Sequence, residues 1–118
     1  METREAILAF SQSEKIKAGL IWASQLVEMY IGLPENEKPG AEKIIGAICA
    51  MIDGEIHIAQ KATGIDDWKE ISKSIDTALI MINSGVTHES SYHFTQALSR
   101  VTGIGQKSMT ALIDQGYL

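Results

Sequence analysis

Apolar residues return every three or four positions along nearly the whole chain, and only two prolines, Pro34 and Pro39, interrupt it. That step matches the about 3.6-residue turn of an α-helix, whereas a strand needs alternation at every second residue. No segment alternates for long enough to form a strand, so the spacing predicts an all-α chain. The segment from Leu33 to Gly40, which holds both prolines, is the one clear loop.

Before the loop, Ile16, Leu20, Val27 and Tyr30 form an apolar stripe, with Trp22 and Ala23 beside it. Trp22, like Trp68 further along, is expected to pack in the core. Ser11 followed by Glu14 has capping-box spacing, which predicts a break or a restart of the first helix there. Residues 1–10 then either begin the bundle or form a separate N-terminal arm. After the loop, Ile45, Ile48, Ile52, Ile56 and Ala59 form one stripe, and Ile44, Ala47, Met51 and Ile58 form a second beside it. A helix apolar over so wide an arc is expected to be central.

Thr63-Gly64-Ile65 ends that helix, and Asp67 with Glu70 is expected to cap the next. Trp68, Ile71, Ile75, Leu79 and Ile82 then give the cleanest amphipathic stripe, stopped by Asn83-Ser84-Gly85. Phe94, Ala97, Leu98 and Val101 are expected inward on a shorter helix from Thr87 or Ser90, and Met109, Leu112 and Ile113 on a last one. The result is a single helical domain over residues 1–118, a four- to five-helix bundle ending in a short helix-turn-helix pair.

Composition narrows the partners. Hydrophobic residues make up 45% of the chain and charged residues 21%, which is slightly apolar for so small a domain. A homodimer or a protein partner is therefore expected to cover part of the surface. The net charge of −5 repels polyanions at long range, so any nucleic-acid contact has to be local. A cytoplasmic protein is expected, because Met1-Glu2-Thr3-Arg4 does not open a signal peptide. No membrane span is expected either, since the longest apolar run, Ile44 to Ile52, is about half what a bilayer requires.

The C-terminal residues Leu98, Val101, Gly103, Ile104, Gly105, Lys107, Leu112, Ile113 and Gly116 stand at the spacing of a known pattern. Residues 97–117 resemble the helix-hairpin-helix motif, a nucleic-acid-binding element that does not read base sequence. The resemblance implies a tight turn at Gly103-Ile104-Gly105. It also implies phosphate contacts by the amides of Gly103 and Gly105 and by Lys107, an anion site at a helix N-terminus. Thr102 stands where the family usually has proline, and Met109 where it has a small residue. The same residues also fit a plain corner, in which glycines permit the turn and Leu98, Val101, Met109 and Leu112 fill a core. Lys61 to Asp66 echoes the turn, but Asp66 replaces the second glycine and the segment reads as a capped turn.

Catalytic and metal-binding patterns do not assemble. His88 and His93 are five apart, which separates the imidazoles by about 140° on a helix, whereas zinc helices use a spacing of four. Asp53 and His57 share a helix face but lack a third partner; an enzyme or metal protein would need them to converge with His88 and His93. Asp66, Asp67 and Glu70 fit a helix start better than a calcium loop. Cys49 reads as a buried small hydrophobe. No catalytic, cofactor or metal residue is assigned. The expected function is a non-enzymatic, regulatory protein–protein interaction, with weak nucleic-acid binding through the C-terminal turn as the alternative.

Overall fold

The computed structural model describes all residues from Met1 to Leu118. Four α-helices, α1 (Thr3–Ile31), α2 (Lys38–Thr63), α3 (Asp67–Asn83) and α4 (Thr87–Asp114), are joined by short connections, the first containing a 3-10 turn at Glu35–Glu37. There are no strands. Each helix packs on its neighbours in sequence and α4 closes back on α1, while the backbones of the diagonal pairs stay more than 8 Å apart. The bundle is elongated, about 54 × 21 × 18 Å.

Glycine sets the corners. Gly64 follows α2 with φ of +68° and its amide donates to Gln60 O at 2.8 Å. Gly85 has φ of +82° after α3, and the Val86 amide then reaches Met81 O at 3.0 Å. Both conformations favour a residue without Cβ. The expected Asp67–Glu70 cap does not form. The residue before α3 is Asp66, whose backbone is already helical and whose side chain makes no cap bond. Thr63 knits this corner instead: its hydroxyl donates to Ala59 O at 2.8 Å and accepts the Trp68 indole N–H at 3.0 Å.

Twenty buried residues from all four helices form the core, with Trp68 fully enclosed. Helix α1 shows no break at Ser11. The stripe Ala6, Ala9, Ser13, Ile16, Leu20, Ala23, Val27 and Tyr30 stays buried along its full length, and continuous burial outweighs the local capping signal. Residues 3–10 therefore belong to the bundle. Gln115 donates to Met1 O at 2.9 Å and accepts from the Thr3 hydroxyl, tying both chain ends together.

Three further expectations are corrected. Trp22 is 66% exposed, because it lies about 200° around the helix from Leu20. Helix α2 is not central: its backbone lies close only to α1 and α3 among the α-helices, as in any ring of four, and its second stripe faces outward. The C-terminal pair is a single helix. α4 runs from Thr87 to Asp114 through Gly103-Ile104-Gly105 without a turn. Phe94, Ala97, Val101, Ile104, Ser108 and Leu112 form one buried stripe across the glycines, whereas Met109 and Ile113 are exposed.

Candidate interaction surface

Helix α2 carries two apolar stripes side by side. Ile45, Cys49, Ile52, Ile56 and Ala59 are buried. Ile44, Met51 and Ile58 point away from the core at 62%, 71% and 57% exposure. Gly40, Ala47 and Gly54 lie between them, also exposed. No charged side chain interrupts this set of six positions.

Helix α1 extends the face. Gly19 brings it close to α2, since a methyl built there would sit 3.1 Å from Ile52 Cγ1. Beside Gly19, Trp22, Ile48 and Met51 line an open groove of about 300 Å³ with Ile16 and Ile52 at its base. Its polar end is fixed. The Glu55 carboxylate accepts from Gln12 at 3.1 Å and from Lys15 at 3.0 Å, and these bonds hold its pKa below the usual value. A groove with an exposed tryptophan, a flexible methionine and one polar edge suits an apolar side chain of a protein partner.

The residues expected to bind phosphate lie on one uninterrupted helix and not at a turn. Gly105 is buried inside α4, a methyl placed on it would meet Ser13 Oγ at 2.9 Å, and its carbonyl accepts the Ser108 hydroxyl at 2.9 Å. Gly103 is half-buried and Lys107 exposed on the same continuous helix. A helix interior offers no free amides, because each N–H is already bonded one turn back. The hollow beside Gly103 is lined by Thr95, Leu98, Ser99, Thr102 and Gln106, with no cation.

Asp53 and His57 make structural contacts. His57 Nδ1 lies 2.8 Å from its own helix at Asp53 O and 3.8 Å from Asp53 Oδ2. Asp53 also accepts the Ser72 hydroxyl at 2.5 Å, which joins α2 to α3. His93 stacks edge-on with Tyr92 at 5.2 Å. No three His, Cys, Asp or Glu side chains converge closely enough to hold a metal ion. Cys49 is enclosed, and burial, reinforced by the charge of Asp76, pushes its thiol up to about 11. A thiol held neutral in this way is a poor nucleophile.

No helix is long and apolar enough to cross a membrane. No family model, curated protein or solved structure matches the chain. The face on α1 and α2 was partly visible in the sequence, as the second stripe of α2, but that stripe reads equally well as core.

Proposed function

We propose that this is a non-enzymatic helical bundle that acts by binding a protein through the exposed face of α1 and α2, in a regulatory role. The observation that carries the reading is the apolar patch of Trp22, Ile44, Met51 and Ile58, each more than half exposed. Large apolar side chains clustered on a small surface mark interaction sites. The structural engagement of Asp53, His57 and Cys49 supports a role without catalysis.

The test is photo-crosslinking in cells with a probe at position 51 and a control probe at Lys69 on α3. Protein adducts from position 51, absent from position 69, are expected. Equal yields from both positions, or none, would contradict the reading.

Nucleic-acid binding is the second reading. Arg100 and Lys107 are exposed and seven residues apart, hence on one face of α4. It predicts weak oligonucleotide binding that falls with salt and disappears in Lys107→Glu. Contacts by the Gly103 and Gly105 amides would further require α4 to open there.

A further inference from the structure

The outer strip of α2 has a seven-residue rhythm. Gly40, Ala47 and Gly54 recur at every seventh position, and so do Ile44, Met51 and Ile58. All six are exposed. A seven-residue repeat keeps a strip facing one neighbouring helix along its whole length.

The order of sizes has a second regularity. Reversed end for end about position 49, every small residue falls opposite a large one: Gly40 opposite Ile58, Ala47 opposite Met51, and Gly54 opposite Ile44. Of the two pairings that a two-fold axis allows, antiparallel or parallel without stagger, only the antiparallel one gives this match. In parallel register, glycine would face glycine and isoleucine would face isoleucine, leaving gaps beside clashes. The bundle itself gives no reason for two of these glycines. A methyl on Gly40 or Gly54 would meet nothing within 4 Å, although each glycine weakens the helix relative to alanine. Gly46, which is off the strip, has no such account.

We propose that the face binds a second copy of this chain, forming a two-fold homodimer in which the α2 helices cross-pack antiparallel with large side chains seated on small ones. This rests on the reading that the face binds protein, and it names the partner. A two-fold contact uses the same patch on both copies and closes at two. The strip from Gly40 to Ile58 is about 27 Å long at the helical rise, and with α1 beside it about 20 Å wide. Corrugation brings that footprint toward the roughly 800 Å² per partner of a stable interface. The total surface points the same way. It is 6864 Å², on the order of 500 Å² more than a monomer of this mass usually exposes.

Paired cysteines test the register. Chains carrying Ala47→Cys and Met51→Cys are mixed and mildly oxidised, with Cys49 left in place because it is enclosed. Circular dichroism first checks that both keep full helicity. Covalent dimers are expected from the mixture, and neither variant alone should exceed the background set by a Lys69→Cys control. Disulfides require Cα atoms within about 7 Å, and of the combinations 47–47, 51–51 and 47–51 the antiparallel register gives this only to 47–51. Self-linking of Ala47→Cys as fast as the mixture would show a parallel pair and overturn the proposal. Background linking throughout would also overturn it. In that case, adducts of a different protein from the probe at position 51 would leave the wider reading standing.

Discussion

Gly105 leaves no space for a side chain, because a methyl group there would approach Ser13 Oγ to 2.9 Å. Ser13 cannot easily give way: it is buried and its hydroxyl is bonded to Phe10 O at 2.8 Å. Gly105→Ala is therefore expected to destabilise the fold by about 1–3 kcal/mol, as overpacking does. Urea denaturation measures this, and adding Ser13→Ala should restore part of the loss, since the Ser13 Cβ lies at an ordinary 3.6 Å. Cys49 makes a pH prediction. Its thiol titrates near 11 when folded, against 9.0 for the unperturbed group, so the folded state holds the proton more tightly. Its contribution is complete below about pH 9 and is lost as pH rises through 11. The alkaline decline in stability should be shallower in Cys49→Ala, and an unchanged slope would contradict the assignment.

At the scale of elements, α4 shows where sequence reasoning succeeded and where it failed. The chain's all-helical nature, the interruption at Pro34, the stops at Gly64 and Gly85 and the enclosed place of Trp68 were legible, because local spacing and backbone freedom decide them. Pro39 and Gly40, expected in the loop, instead lie in the first turn of α2, where proline is tolerated. The Gly103-Ile104-Gly105 segment was misread because glycine serves two purposes. It permits a turn, and it also lets two helices approach closely, which is its use at Gly105. The contrary signal was present: the buried stripe from Phe94 to Leu112 keeps helical spacing straight across the glycines. Gly103 separates the two cases. A methyl there meets nothing within 4 Å, so Gly103→Ala should stabilise a continuous helix by about 0.5–1 kcal/mol. A hairpin turn at that position would make the same change destabilising, and thermal unfolding distinguishes the signs. Helix α2 failed differently. Its two apolar stripes have the same period and neighbouring arcs, so spacing alone does not say which one packs against α1 and α3. For the same reason Trp22 and Trp68 looked equivalent, and only the packed neighbours distinguish them.

At the scale of the molecule, an elongated bundle with a bare apolar side has more surface than its mass requires. Covering the face on α1 and α2 removes that excess, and the size pattern of α2 matches a reversed copy of itself. Because Met51 is exposed, Met51→Glu should leave the helical content unchanged while placing charge in the middle of the contact. The most direct measurement is the molar mass in solution, by sedimentation equilibrium at tens of micromolar. The wild-type chain should approach twice 12.9 kDa, and Met51→Glu should return to 12.9 kDa. A wild-type mass of 12.9 kDa, or a dimer that Met51→Glu leaves intact, would contradict the account.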